Sequence, residues 1–421
     1  MHKYNKKNVY FILGDVMIYL YGIKGSGMSA LACLLDDLEY EVEGIDTEEY
    51  IAYQDELIKR KIKIHPFSYD EFNYDNLFII GNAFLGNEKI SMIEEKALWY
   101  SYSGFLNLLF SCPKIGVSGT HGKTTTTTFL TNMIDDDISY IIGDGTGYGL
   151  KKSNYFILEA CEYKNTFLKY DLSSLIITNI DYDHPDFFNS IDDVIDSFQR
   201  RVNNVNLVIL NGDCANCRQL KVSNGCYVGF NDDNDVCLDY EFPYIILSKE
   251  IDAKIYFPYS QKELIIDYAL GYVLAYLMEI KVKTKPSYRL PKRRLQKIND
   301  DPIVYTDYAH HPIEIKVSFN YFKNKYPDKK IILVFEFHTI SRIEAFYNEF
   351  MDAFKLFDDV YLTDIFTSVR EENRLQNNDF LLLKKYEILK FEVKLDEIVI
   401  FMGAGKADRY AYEYVSFINT K

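Results

Sequence analysis

The segment Lys114-Ile115-Gly116-Val117-Ser118-Gly119-Thr120-His121-Gly122-Lys123-Thr124-Thr125 constrains this chain more than any other. It runs from an apolar strand through a glycine-rich turn into a helix that opens over Thr124 to Thr128. Such a turn presents converging backbone N–H groups, which Gly119 and Gly122 permit, and the positive end of a helix dipole to an anion. Lys123 adds a point charge, and the Thr124 hydroxyl is placed to hold Mg²⁺. Val117 stands five residues before Gly122, so the spacing is the short Gly-x-x-Gly-Lys-Thr form. The segment reads as a mononucleotide phosphate site.

A turn of this type belongs to a parallel sheet, and apolar runs of strand length recur along the chain. Met17 to Gly22 leads into Gly22-Ile23-Lys24-Gly25-Ser26-Gly27-Met28-Ser29 and then an apolar helical run from Ala30 to Leu38. A second strand, Tyr40 to Ile45, ends at Asp46, and a third, Leu77 to Ile80, leads to Gly81-Asn82. The pattern suits a pyrophosphate on a helix N-terminus with an acidic group on a ribose. After the phosphate loop come Tyr155 to Leu158, Ser174 to Thr178 and Leu207 to Leu210. Beyond the basic segment Pro291-Lys292-Arg293-Arg294 come Ile303 to Thr306, Lys330 to Phe335, Asp359 to Leu362 and Ile398 to Phe401. Short apolar strands alternating with helical stretches specify α/β units with parallel sheets. The expected architecture is three consecutive α/β domains: Rossmann-like over 1–112, phosphate-loop over 113–288 and Rossmann-like over 289–421.

In open parallel sheets ligands bind beyond the carboxyl ends of strands. Those ends here carry Glu159-Ala160-Cys161-Glu162, Asn179 to Pro185, Asp307 to His311, His338 to Arg342, Asp364 to Arg370 and Gly403 to Lys406. Five of the seven histidines, His121, His184, His310, His311 and His338, fall in such clusters, which raises their functional weight.

The net charge of −15 argues against a nucleic-acid partner, so any nucleotide is a small ligand. Cys214-Ala-Asn-Cys217 with Cys226 and Cys237 invites a zinc reading, but the second pair lacks the tight spacing, and free thiols are expected. No apolar run reaches the roughly 18 residues of a membrane span. His2-Lys3 and Lys6-Lys7 before Val9 to Leu13 look faintly like a signal peptide, but Asp15 interrupts the run and no cleavage site follows; a cytoplasmic protein is expected.

Together, Gly22 to Ser29, Gly119 to Thr125, Glu159 to Glu162, Asp181 to His184, Asp307 to Pro312 and His338 to Arg342 resemble the Mur ligase family, from about Met17 almost to the C-terminus. The resemblance implies a three-domain, ATP- and Mg²⁺-dependent ligase of peptidoglycan synthesis that joins L-alanine to UDP-N-acetylmuramate through an acyl phosphate. It implies that Lys123 holds the transferring phosphoryl group, that Thr124 and Glu162 hold one Mg²⁺, and that Glu162 with His184 holds a second. Gly25, Gly27, Met28, Ser29 and Asp46, with Asn82 nearby, would bind the UDP moiety, and His310 and His311 the substrate. Asp307 would meet the ATP ribose, Arg293 and Arg294 would stand at the entrance to the third domain with Arg294 toward the nucleotide, and His338 and Arg342 would face the amino acid. Three positions depart from the family. Glu263 to Asp267 replaces its His-Asn-x-x-Asn adenine segment, Glu336-Phe337-His338 replaces Gln-Pro-His, and Ile45 replaces a serine. Two alternatives stand beside this reading: a Mur-type ligase for another amino acid or a recycled peptide, and a paralogue that binds UDP-sugar or nucleotide without turnover.

Overall fold

The computed structural model describes residues 16–363, 384–387, 391–394 and 396–420. The Asp364 to Arg370 cluster and the basic N-terminal segment lie outside them. Among the described residues the strands form three sheets.

The first contains β1 (Ile18–Tyr21), β2 (Val42–Asp46), β3 (Lys63–Pro66), β4 (Leu77–Ile80) and β5 (Leu98–Ser101) in the order β3-β2-β1-β4-β5, all parallel. Every residue of β1 and β4 is buried, as expected of strands covered on both faces. The order reverses between β1 and β4, and the Gly22–Gly25 loop leaves from that point.

The second sheet contains β6 (Lys114–Ser118), β7 (Ile138–Ile141), β8 (Gly147–Tyr148), β9 (Tyr155–Glu159), β10 (Ser174–Ile177), β11 (Leu207–Asn211), β12 (Gly225–Gly229), β13 (Val236–Glu241), β14 (Tyr244–Lys249) and β15 (Ala253–Tyr256). Its order is β15-β14-β13-β12-β11-β10-β6-β9-β7-β8, parallel from β13 to β7 and antiparallel in the β13-β14-β15 extension. β6 lies between β9 and β10, so its phosphate loop emerges between the ends that carry Glu159 and Asn179. The helix after β6, Lys123–Met133, contains five consecutive threonines, which are poor helix formers. Burial overrides that preference, and the hydroxyls are satisfied locally: Thr127 donates to Lys123 O at 2.8 Å and Thr128 to Thr124 O at 2.7 Å.

The first two sheets pack as one compact unit with Phe187–Arg289 included. The helix Ser26–Asp37 explains this, because it is buried without a break from Met28 to Leu35. A helix apolar on all sides must be covered on all sides, and the strands β7 and β8 cover the flank that its own sheet leaves open. Gly149 N also donates to Asp37, and Asn107 exchanges hydrogen bonds with Lys169 O and Asp171 N.

The second unit comprises Leu290 onward together with Asp183–Asp186. Its sheet holds β16 (Gln296–Asp300), β17 (Ile303–Asp307), β18 (Lys330–Phe335), β19 (Asp359–Leu362), β20 (Lys384–Lys385) and β21 (Glu397–Met402), in the order β16-β17-β21-β18-β19-β20. Only β16 runs antiparallel to its neighbour. Val304, Val334, Val399, Phe401 and Tyr414 form its core.

Candidate active site

The phosphate loop is tied at both flanks. Thr120 Oγ1 donates to Asp181 O and accepts from Asp181 N, at 3.1 and 2.8 Å, and His121 N donates to Asn179 Oδ1 at 2.9 Å. Gly122 has φ of 80°, and a side chain there would collide with the Asp267 carboxylate. Glycine is therefore required on two counts. Lys123 folds back over the loop: its Nζ donates to the Gly119 and Thr120 carbonyls and lies 3.2 Å from Glu162, which is 2% exposed. Burial opposes the charge on Lys123, but Glu162, with Cys161 and Glu159 behind it, more than compensates and holds the ammonium above its usual pKa. Thr125 lies buried in the first turn of the following helix.

The two carboxylates have different partners from those the sequence reading implies. That reading groups Thr124 with Glu162, whereas in the structure Thr124 Oγ1 donates to Glu159 Oε2 at 3.3 Å and Glu162 is engaged by Lys123. The register explains the difference: Val117 pairs with Glu159, so Glu159 stands beside the start of the loop. Glu159 also accepts from Gly143 N, and burial pushes its pKa up to about 7 against the pull of Gly143 N–H, Lys123 and Thr124. Its place as the last residue of β9 was readable in the sequence, but the adjacency of β9 to β6 was not. The hard oxygens of Glu159 and Thr124 suit Mg²⁺, and the carboxylate is under-compensated without a cation. No group of three or more acidic, histidine or cysteine side chains able to hold a metal occurs among the described residues.

Asp267, in the helix Lys262–Leu277, accepts from Thr126 Oγ1 at 2.9 Å and is 8% exposed. It braces the phosphate loop from behind. Sequence reasoning, which placed it at a base edge, did not find this role.

In the first sheet's loop, Gly25 caps the helix that holds Gly27, Met28 and Ser29, and Ser29 Oγ donates to Ser26 O. Asp46, at the end of β2, accepts from Lys24 N and Thr47 N, both at 2.7 Å, and burial raises its pKa against those two bonds. Lys24, not singled out from sequence, is 4% exposed and donates to the Thr47 and Glu49 carbonyls at 2.8 Å, clamping one loop on the other. Asn82 follows β4, and its Oδ1 is buried without a hydrogen-bond partner among the described residues. The loop 143–147 joins this region to the phosphate site. Gly143 holds Glu159, and a side chain at Gly145 would meet Tyr53 and the Ser29 hydroxyl.

In the second unit Asp307 is 1% exposed, and its oxygens accept from Leu295 N, Ala309 N and Ser318 Oγ at 3.1, 2.8 and 3.2 Å. That geometry ties together the loops around it. Arg294 pairs with Glu314 at 3.0 Å and lies 3.8 Å from Asp307, and Arg293 stacks on the Tyr308 ring. His310 N donates to Glu314, while His311 caps the helix Pro312–Lys325 through Ile313 N. Arg342 makes a forked pair with Asp183 at 3.0 and 3.1 Å and lies 3.3 Å from His338 Nδ1. The fork expected to meet an amino-acid carboxylate therefore meets a carboxylate of the chain. His184, at φ of 57°, turns its backbone N–H onto Asp183.

Glu336 is a buried carboxylate that accepts from Gly405 N and Lys406 N at 3.0 and 2.7 Å. Burial raises its pKa from 4.5 to about 7 despite these bonds. Between those values the folded chain binds more protons than the unfolded chain, so this group makes stability fall as pH rises through the window. Glu336→Gln is expected to remove that part of the pH dependence, worth up to about 3 kcal/mol, in urea unfolding followed across the window. An unchanged pH profile would show that Glu336 is ionised throughout.

No described helix is long and apolar enough to cross a membrane. Three family models match in succession: "Mur ligase family, catalytic domain" over residues 17–110, "Mur ligase middle domain" over 117–239, and "Mur ligase, glutamate ligase domain" over 293–405. Among solved structures the chain is similar to the UDP-N-acetylmuramate-alanine ligase of Thermotoga maritima, at 21% identity and TM-score 0.77 over 96% of this chain and 99% of that one. It is also similar to a murein peptide ligase from Psychrobacter arcticus, at 19% and 0.71 over 95% and 98%. A third similar structure is a pseudomurein peptide ligase type C from Methanothermus fervidus, at 17% and 0.61 over 96% and 100%. At these identities the structural likeness is one of fold, while the three models span the phosphate loop, the Gly22–Gly25 loop and the strand-end clusters of the third sheet. The chain belongs to the Mur ligase family.

Proposed function

We propose that this chain joins L-alanine to the lactyl carboxylate of UDP-N-acetylmuramate at the expense of ATP, in the cytoplasm. Family membership makes it an ATP-dependent ligase of carboxylate–amine type; the two substrates are the proposal. The observation that carries it is the loop 143–147, which links the carboxylate at the phosphate site, Glu159, to the Ser29 region of the first sheet. A sugar nucleotide seated near Ser29, Asp46 and Asn82 would extend its carboxylate toward the phosphate loop.

The carboxylate oxygen attacks the γ-phosphorus and ADP leaves; the neutral amine then attacks the acyl carbon, and phosphate departs with the proton that the nitrogen loses. Lys123 neutralises charge that accumulates on the transferring phosphoryl group, and the loop N–H groups orient it. Thr124 and Glu159 would hold Mg²⁺, which supplies Lewis-acid stabilisation of the phosphate oxygens. Glu162 keeps Lys123 charged and aimed. His338 and Arg342 are assigned to the amine side, His184 to Mg²⁺ and Arg294 to the nucleotide.

The similarity to a murein peptide ligase, nearly as extensive, supports a peptide as the alternative amine. The expected result is phosphate release only when UDP-N-acetylmuramate, ATP, Mg²⁺ and L-alanine are all present. Release with a peptide or another amino acid but not with alanine overturns the alanine assignment. Binding of UDP-sugar and ADP without any release identifies a non-catalytic paralogue.

A further inference from the structure

The Cys214-Ala-Asn-Cys217 motif is not used by the ligase chemistry, and its environment is specific. The turn follows β11: Cys214 N donates to Asn211 O, and Arg218 N closes the next turn on Cys214 O. The first thiol is partly buried and the second fully buried; neither is in a disulfide, and the two share a hydrogen bond. Cys214 Sγ accepts from Ile180 N at 3.4 Å, and Asn216 Nδ2 donates to Ile180 O at 2.8 Å. Ile180 precedes Asp181, whose backbone is gripped by Thr120 of the phosphate loop.

We infer that Cys214 and Cys217 form a reversible disulfide site, with Cys214 the attacking thiol, Cys217 the buried resolving thiol and a hydroperoxide or a small-molecule disulfide as oxidant. One partly buried thiol and one fully buried partner three residues on, joined by a turn, is the division of labour that C-x-x-C chemistry uses. The hydrogen bond from Cys217 lowers the Cys214 thiol below its usual range, which favours the nucleophilic thiolate. With hydrogen peroxide, the Cys214 thiolate attacks one oxygen and breaks the O–O bond, giving a sulfenic acid and, after protonation, water. Cys217 then attacks that sulfur and loses its proton as a second water departs. Two thiols are oxidised by two electrons and one peroxide is reduced to two waters.

Bond formation redirects the Cys214 sulfur toward Cys217 and weakens its acceptance from Ile180 N. On the reading of Gly119 to Thr125 as the nucleotide site, the disturbance passes through Asp181 and Thr120 to the loop, and nucleotide affinity falls.

The test treats the full chain with hydrogen peroxide, removes the oxidant, unfolds the chain in urea with iodoacetamide to block remaining thiols, and maps the peptides by mass spectrometry. The expected result is loss of two hydrogen masses in the peptide holding Cys214 and Cys217, reversed by dithiothreitol, with Cys33, Cys112, Cys161, Cys226 and Cys237 still alkylated. In Cys217→Ser, Cys214 should instead give a dimedone adduct. Cys214 and Cys217 remaining alkylated after peroxide, or Cys214 linked to a different cysteine, overturns the site. ADP titration by calorimetry on the oxidised and reduced wild type should show several-fold weaker binding when oxidised. Equal affinity in the presence of the disulfide overturns the link to the loop, and no ADP binding in either state overturns the nucleotide reading while the mass result stands.

Discussion

Lys123→Ala is expected to lower ATP-dependent phosphate release by about 10³-fold while leaving UDP-sugar affinity within a few-fold of wild type. Lys123 Nζ is held by the Gly119 and Thr120 carbonyls and by Glu162, at the position from which a point charge reaches phosphoryl oxygens. Charge on those oxygens grows in the transition state, so the loss falls on turnover more than on binding. The UDP site depends on a different loop, around Ser29, Asp46 and Asn82. The substitution also strands Glu162, 2% exposed, without its cation, which costs about 3–5 kcal/mol if the carboxylate stays ionised. Thermal unfolding and steady-state kinetics measured together separate the two effects. Rates must be taken below the variant's own transition, and Lys123→Arg serves as a control that retains charge but alters geometry. A parallel, equal loss of UDP-sugar binding and turnover would place Lys123 in a structural role.

The second large effect is a contrast between two carboxylates three residues apart. Glu159→Gln is expected to raise the Mg²⁺ concentration for half-maximal activity by about 10²-fold and to lower turnover, because Thr124 and Glu159 would lose the ionised ligand of the pair. Glu162→Gln should leave the Mg²⁺ requirement nearly unchanged and act through Lys123, by weakening the ion pair that holds it. Magnesium titrations of both variants at saturating ATP decide the matter. The reverse pattern, with Glu162→Gln shifting the Mg²⁺ curve and Glu159→Gln not, would restore the pairing that the resemblance implied.

That contrast marks where legibility ended. The strand at Lys114–Ser118, the glycine turn and the helix behind it could be read directly, because glycine at a left-handed position and a run of apolar residues act over a few neighbouring residues. The strands preceding Glu159, Thr178 and Asp307 were equally legible, since being buried on both faces leaves an unbroken apolar run. Glu159 stood in the cluster read from sequence, but its role did not, because that role depends on β9 lying beside β6.

The sequence by itself determined three successive α/β units and which residues stand at the strand ends, since both follow from local periodicity and turn residues. Tertiary structure alone decided the partners. Thr124 meets Glu159, Thr126 meets Asp267, and Arg342 meets Asp183, contacts spanning 35, 141 and 159 residues of chain. It also decided that the first two sheets form one unit, sealed around the helix Ser26–Asp37. A buried charge or hydroxyl takes whichever partner sheet order and strand register bring within about 3 Å. Those depend on how distant segments stack, which no local pattern encodes.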